Sequence, residues 1–254
     1  MYRIDLNCDA GESFGHYTLG SDAELFQHVT SVNIACGYHA GDHNVIAKTV
    51  KLAAEHQLAV GAHPGFQDLA GFGRREMQVA PDEIYNLTIY QLGALKTIAE
   101  VHGVKLNHVK PHGALYNIAA RNRDVSFAIA KAVKAVDKHL ILYGLAGSEL
   151  CKAGEETGLK VAHEVFADRT YQADGTLTPR TEANALIQDA VEAAQQILQI
   201  IKTGKVRAVT GEEVDIRADT VCIHGDGPYA PQFASTLKRL LEKENVYIAK
   251  IGDE

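Results

Sequence analysis

The sequence predicts a single seven-stranded parallel β/α barrel, and three observations support this fold class. Short apolar segments alternate with helical patterns along the 254 residues, as in parallel sheets whose strands are buried on both faces. Polar residues follow nearly every predicted strand, where barrel enzymes carry their sites. The length suits one barrel domain over residues 1–254. An open, doubly wound sheet has the same periodicity, but the strand count and the polar strand ends favour the barrel.

The strands are predicted from short apolar runs bounded by polar or glycine-containing segments. In chain order they are Arg3–Asn7, Ser31–Ala35, Ala59–Ala62, Leu106–Lys110, Leu140–Gly144, Lys160–Val165 and Thr220–His224, with Val246–Ile251 as an eighth strand or a tail.

Helices are predicted between these strands. The clearest is Glu182–Thr203, whose apolar residues recur at the three- and four-residue spacing of one helical face, with Thr181 as N-cap and Gly204 as its end. A second helix begins at Pro81, runs to about His102 and is ended by Gly103. The remaining helical patterns start at Asp42 or His43 and run through His56, or cover Asp124–Asp137, Gly147–Glu156 and Tyr229–Glu244.

Composition narrows the possible functions. Hydrophobic residues make up 46% of the chain, charged residues make up 22% and the net charge is −7, which argues against a nucleic-acid or anionic membrane surface. No apolar run is long enough to span a bilayer, and the N-terminus lacks the pattern of a signal peptide. The cysteines form no C-x-x-C pair; they are Cys8, Cys36, Cys151 and Cys222. We therefore expect a protein of the reducing cytoplasm.

Histidines and carboxylates at the strand ends indicate a polar active site. A divalent ion such as Zn²⁺, Mn²⁺, Mg²⁺ or Ni²⁺ is one candidate occupant, because imidazoles and carboxylates are its usual ligands. Asp9, His39 and His43 form the predicted ligand set, since residues four apart lie on one face of a helical turn. In the alternative, His43 only caps the following helix, and the histidines act as proton carriers.

The segment Leu69–Arg75 is the best candidate for an anion site. Its glycines allow close backbone approach, and Arg74 and Arg75 could fork onto phosphate or carboxylate. An ordinary surface loop with solvated arginines is the alternative. The chain has no Walker A loop. Lys110, at the end of an apolar strand, is expected to meet an anion or to take part in chemistry, because an unpaired buried lysine is costly.

Motifs at the strand ends resemble those of the LamB/YcsF family, the A component of ATP-hydrolysing 5-oxoprolinases. They occur in order and span nearly the whole chain. The matching segments are Asp5–Gly15, Asn33–Asp42, His63–Gly65, Gly71–Arg75, Val109–Tyr116, Glu164–Arg169 and His224–Asp226.

The resemblance implies a barrel of the glycoside hydrolase/deacetylase type and the ATP-driven cleavage of 5-oxo-L-proline to L-glutamate, ADP and phosphate. It also implies partner subunits B and C. For this chemistry we expect Asp9, Glu12, Lys110, His112 and Glu164 to be catalytic, with Asp9 or Glu164 as base. Substrate or phosphate would contact Asn7, His63, Arg74, Arg75, Asp168, Arg169, His224 and Asp226.

Two other functions remain open from the sequence. The set Asp9, His39 and His43 looks like the metal triad of a metal-dependent N-acyl or polysaccharide deacetylase, which would bind metal tightly and need no ATP. Alternatively, the chain is a non-catalytic lactam-binding subunit that presents 5-oxoproline to its partners.

Overall fold

The computed structural model describes residues 2–223 and 230–252. Its main sheet consists of parallel strands, and a parallel pairing between the first and the seventh of them closes the barrel. The predicted seven-stranded barrel is therefore confirmed. The barrel strands are β1 Tyr2–Ala10, β2 Ser31–Ala35, β3 Ala59–His63, β4 Leu106–Val109, β5 Ile141–Leu145, β6 Lys160–Phe166 and β9 Thr220–Ile223.

Within the described part of the chain, three further strands lie outside the closed barrel. β7 Lys205–Arg207 and β8 Glu213–Asp215 form an antiparallel pair that the sequence did not predict. β10 Val246–Ile248 pairs in parallel with the first residues of β1, so the last apolar run is a strand. It pairs with β1 near the N-terminal end of that strand, before the residues at which β1 pairs with β2 and β9.

The helices surround the barrel, and most lie within a few residues of their predicted bounds. Asp42 caps α2, because its side chain accepts from the amides of Asn44 and Val45. Pro81 opens α3 as expected. Two helices were not predicted, α1 Asp22–Leu25 and α4 Gly113–Arg121. The others are α2 His43–Glu55, α3 Pro81–Val101, α5 Arg123–Val136, α6 Glu149–Thr157, α7 Ala190–Thr203 and α8 Ala230–Lys243.

The predicted start of the helix Glu182–Thr203 is wrong. Helix α7 begins at Ala190, and its N-cap is Asp189 rather than Thr181. Ala185 and Ile187 are buried, but in an irregular segment whose backbone bonds to residues 168–170: the Ile187 amide donates to the Asp168 carbonyl at 2.9 Å. Of the apolar residues that extend the predicted face into this segment, Ile187 is buried, whereas Ala183 and Leu186 are exposed. The predicted end at Gly204 is confirmed by its left-handed backbone.

Alternate residues along each strand lie in two different environments. One set is apolar and joins helix residues in the main hydrophobic core, for example Leu6, Val32 and Ile34. The other set is buried, largely polar and hydrogen-bonded across strands; it includes Asp5, Asn7, Asn33, His108, Tyr143, Glu164 and Thr220. The barrel interior is therefore a polar network rather than an apolar filling.

Asp5 shows how the interior accommodates charge. Its carboxylate accepts hydrogen bonds from the hydroxyls of Thr30, Ser31, Thr220 and Tyr143. Burial nevertheless raises the pKa of Asp5 above its ordinary value, because desolvation outweighs these hydrogen bonds.

Across the described residues, no helix combines the length and apolar character needed to cross a membrane.

Candidate active site

A charge cluster around Lys110 occupies the centre of the strand-end face. Lys110 directly follows β4 and is only 3% exposed. Its ammonium lies 2.9 Å from Asp9 Oδ1, 3.1 Å from Glu164 Oε1 and 3.0 Å from Cys222 Sγ. Three different strands thus supply the groups that surround one cation.

Lys110 remains charged in this setting. Burial alone would lower the pKa of its ammonium, but the attraction of Asp9, Cys222 and Glu164 outweighs burial and holds the pKa well above its ordinary value. A protonated amine cannot attack a carbonyl. Lys110 is therefore suited to charge stabilisation and not to Schiff-base formation.

Glu164 lies beneath this cation and is fully buried. Its Oε1 accepts from Asn7 Nδ2 at 3.0 Å, and its Oε2 accepts from the Tyr116 hydroxyl at 2.7 Å. Asp9, in contrast, has a side chain that is 12% exposed and lines the cavity above. Of the two predicted bases, Asp9 is the one with access to a substrate.

A second cluster, the histidine cluster, consists of Glu12, His39, His63 and His112. Each offers one donor atom, and these atoms all lie within 4.8 Å of one another. His63 Nε2 lies 2.9 Å from His112 Nδ1, and the rings of His39 and His112 stack with centroids 3.7 Å apart. Three imidazoles and one carboxylate are a chemically plausible set for a transition metal.

Glycines permit this close packing of rings and loops. A Cβ atom on Gly65 would lie 2.6 Å from His39 Nδ1, and one on Gly73 would lie 2.7 Å from His39 Cβ. Both distances are shorter than nonbonded atoms allow. The glycines that follow β3 are therefore needed to bring backbone against the His39 ring.

A cavity of about 920 Å³ opens above both clusters. Asp9, His63, Lys110 and His112 line its floor, and Arg74, Arg169 and Arg180 are among its walls. The volume suits a small molecule.

Two of these wall arginines differ in their surroundings. Arg169 is buried and donates to the carbonyls of Thr178 and Ala185. Burial lowers its pKa to about 10, which still leaves it charged at neutral pH. The Arg74 guanidinium lies 5.0 Å from the centre of the Phe72 ring.

Among the described residues, six predicted site residues line this cavity: Asp9, His63, Arg74, Lys110, His112 and Arg169. Asn7, predicted to contact substrate, is fully buried and bonded to Glu164 instead. Arg75 is largely exposed and pairs with Asp68, so the two arginines of the anion loop do not act as one fork. Asp168 bonds through its carbonyl to Ile187 and does not line the cavity. The predicted residues His224 and Asp226 lie outside the described residues.

The structure does not bring the predicted metal set of Asp9, His39 and His43 together as one ligand group, although Asp9 Oδ2 lies 3.3 Å from His63 Nε2. His43 is exposed at the first position of α2 and does not belong to the histidine cluster. Residues four apart share a face only within a helix. Helix α2 begins at His43, and Asp42 just before it has an extended backbone, so His39 and His43 do not lie on one helical turn. His39 is therefore grouped with His63 and His112 instead.

Sequence reasoning did not assign roles to Tyr116, Asn33 or Arg180. Tyr116 lies in α4, which was not predicted, so its contact with Glu164 was not expected. Asn33 donates to both Asn7 and Asp9; its position within a buried strand was the only available signal. Nothing in the local sequence marks Arg180 as part of the cavity wall.

Comparisons with family models, known sequences and solved structures all find similarity along nearly the whole chain. The sequence matches the model of the LamB/YcsF family over residues 4–254. A protein of Halalkalibacterium halodurans, named as the A subunit of 5-oxoprolinase, is 57% identical over 253 residues, which is 100% of this chain and 98% of that protein. Its namesake in Bacillus subtilis is 54% identical over 254 residues, 100% and 99% of the two chains. The crystal structure of a lactam utilization protein from Thermus thermophilus superimposes with a TM-score of 0.92 at 46% identity, covering 97% of this chain and 99% of that one.

Proposed function

The chain belongs to the LamB/YcsF family, and from this premise we propose that it is one component of an ATP-dependent 5-oxoprolinase, cleaving 5-oxo-L-proline to L-glutamate. The observation that carries this proposal is similarity over the full length to proteins named as the A subunit of 5-oxoprolinase. The cavity at the strand ends supports it, because it combines a carboxylate, a buried cation and arginines.

The proposed reaction balances with one ATP and two waters. The lactam oxygen attacks the terminal phosphorus of ATP and releases ADP, which makes the ring carbon a stronger electrophile. Water adds to that carbon, the ring C–N bond breaks, and its electron pair stays on the nitrogen, which takes up a proton. A second water hydrolyses the resulting acyl phosphate to the side-chain carboxylate of glutamate and inorganic phosphate.

Within this sequence we assign Asp9 as the general base that takes a proton from the attacking water. Lys110 lies 2.9 Å from Asp9 and would stabilise negative charge that develops on the lactam or phosphoryl oxygens. Glu164, which has no exposed surface, would act by holding Lys110 and Tyr116 in place.

The two wall arginines offer sites for the anionic parts of the substrates. Arg74 and Arg169 line the cavity, and guanidinium groups bind carboxylate or phosphate with paired hydrogen bonds. We assign these two, rather than Arg75, to the substrate carboxylate or the transferred phosphoryl group.

We further propose that the chain works in the cytoplasm with subunits B and C and without a nucleic-acid partner. No known nucleotide motif occurs in the sequence. Partner subunits are therefore the proposed source of at least part of the ATP site.

Glutamate release from 5-oxoproline with ATP tests this function. The chain should be assayed alone and mixed with its B and C partners, with ADP measured in parallel. We expect glutamate and ADP in equal amounts only in the full mixture. No glutamate from any mixture of folded subunits would reject the proposal.

The two rival functions predict different results in the same assays. A deacetylase would act on N-acyl substrates without ATP, but its expected metal triad is incomplete because His43 lies outside the histidine cluster. For a lactam-binding subunit, calorimetry would show binding of 5-oxoproline. Asp9→Asn would then leave turnover by the full mixture unchanged.

A further inference from the structure

We propose that the histidine cluster of Glu12, His39, His63 and His112 binds one divalent transition-metal ion, with Zn²⁺ as the best chemical match. The ligand set differs from the Asp9, His39 and His43 set expected from the sequence. It does not depend on the reaction proposed above, because its test measures bound metal directly.

Hydrogen bonds to the backbone determine which ring nitrogens of two histidines carry protons. His63 Nδ1 lies 2.7 Å from the Lys110 carbonyl oxygen, and His112 Nε2 lies 2.8 Å from the Phe72 carbonyl oxygen. A carbonyl oxygen only accepts, so both nitrogens must be N–H donors. In the neutral rings, the remaining nitrogens then carry lone pairs. This is the arrangement in which outer hydrogen bonds orient metal-binding histidines.

The two lone pairs point at each other. His63 Nε2 and His112 Nδ1 are only 2.9 Å apart, and two acceptors at this distance repel unless a positive species binds them. Either a proton on one ring or a metal ion could fill that role.

A metal ion accounts for more of the cluster than a proton does. One proton would bridge only His63 and His112. One ion can bind all three rings and the Glu12 carboxylate, because their ligand atoms lie within 4.8 Å of one another.

His39 supplies an independent observation. Its side chain is only 1% exposed, yet among the described residues neither ring nitrogen has a hydrogen-bond partner. A buried polar atom without a partner costs free energy and calls for an explanation. His39 Nε2 faces Glu12 Oε1 at 3.7 Å, across the space that an ion would occupy.

Three of the six donor separations can be compared with those of a tetrahedral ion. Zinc–nitrogen bonds of about 2.0–2.1 Å imply donor atoms roughly 3.3 Å apart. The separations are 2.9 Å for His63–His112, 3.7 Å for His39–Glu12 and 3.8 Å for His112–Glu12, and every pair lies within 4.8 Å. The His39 and His112 rings are nearly parallel, so binding both to one ion requires one ring to turn. Three nitrogen donors favour Zn²⁺ over Mg²⁺, which prefers an all-oxygen shell.

Metal content of the purified full-length chain tests the site. The protein is stripped with a chelator, incubated with Zn²⁺, dialysed against metal-free buffer and analysed by mass spectrometry of the element. We expect about one zinc per chain and a higher melting temperature with metal. Co²⁺ in place of Zn²⁺ should give the visible absorption of a tetrahedral nitrogen–oxygen site.

Substitutions in the cluster test whether its residues bind the ion. His39→Ala should weaken zinc binding by at least about 100-fold, since even outer partners of a metal site are worth about 10–100-fold. His43→Ala is the matched control, an exposed histidine outside the cluster, and should bind like the unchanged chain. If His39→Ala fails to fold, Glu12→Gln is used, with at least about tenfold weaker binding expected. Absence of retained metal in the unchanged chain, or equal affinity in the cluster and control variants, would overturn the assignment.

Discussion

Lys110 neutralises two carboxylates inside the barrel, Asp9 and Glu164. Lys110→Met keeps the length of the side chain but removes this buried charge. We expect the free energy of unfolding at pH 7 to fall by about 3–5 kcal/mol, the usual result of breaking a buried ion pair from one side. Chemical denaturation followed by far-UV circular dichroism measures the loss. Lys51→Met, at an exposed position of α2, should change stability by less than about 0.5 kcal/mol, and equal effects would contradict the assignment.

Asp9 is the residue on which the proposed chemistry depends most directly. Asp9→Asn removes a proton acceptor while keeping size and shape, so we expect turnover in the full mixture to fall by about 10²–10⁴-fold. Circular dichroism should show a retained fold. Asp82→Asn changes an exposed carboxylate in the first turn of α3, away from the cavity, and should leave the rate within about twofold. A normal rate in Asp9→Asn would reject its role as base.

Among the elements, strand β3 depends on a residue that lacks a side chain. A Cβ atom on Gly61 would lie 2.1 Å from His108 Nε2, which itself lies 2.8 Å from Asn33 Oδ1. Gly61→Ala should therefore displace the His108 ring and cost at least about 1–3 kcal/mol of unfolding free energy.

The matched control for this substitution is Gly93→Ala in α3, where a Cβ atom meets nothing within 4 Å. It should raise stability by up to about 1 kcal/mol, the helix propensity difference. Thermal and chemical denaturation of both variants measure these changes in stability. An unchanged free energy of unfolding in Gly61→Ala would mean that β3 does not hold the His108 ring in place.

The start of α7 provides a second test at this scale. Asp189 accepts from the amides of Val191 and Glu192, so Asp189→Ala should cost about 0.5–2 kcal/mol. Thr181→Ala, at the exposed position where the sequence placed the cap, should change stability by less than about 0.5 kcal/mol. If Thr181→Ala destabilised the protein more than Asp189→Ala does, the longer helix that starts at Glu182 would be supported instead.

Sequence was a good guide to the elements and a poorer one to their contacts. Local signals found the start of α2 at Asp42 and the end of α7 at Gly204, because capping depends on neighbouring residues. The segment before α7 was predicted as helix because Ala183, Leu186 and Ile187 extend the apolar spacing of α7, although only Ile187 is buried. Tyr116 was missed because α4 was not predicted, although Pro111 and Gly113 mark a turn after β4.

At the scale of the whole molecule, barrel closure determines which residues meet. Strand-end position alone was enough to predict that Asp9, Lys110, His112 and Glu164 share a face. It could not pair His39 with His112 rather than His43, since that depends on loop paths and on Gly65 and Gly73. Long-range geometry of this kind leaves no periodic trace in a sequence.

Closure also predicts how the chain unfolds. Strand β9 pairs with both β1 and β6, so no part of the barrel can leave without opening the whole sheet. We expect one cooperative transition, with coincident curves from far-UV circular dichroism and from tyrosine fluorescence. The chain has ten tyrosines and no tryptophan, so the emission is simple to interpret. Two separated midpoints would indicate more than one domain.

The polar interior has a consequence for how such a sequence can diverge. Asn33 donates to Asn7 and Asp9, Asn7 donates to Glu164, and Glu164 also accepts from Tyr116. Losing one member leaves its partners buried with unmet hydrogen bonds, so the effects of single substitutions are not additive. Interior positions should therefore change together through compensating pairs, and mutational paths between two working interiors should be few and dependent on the order of steps.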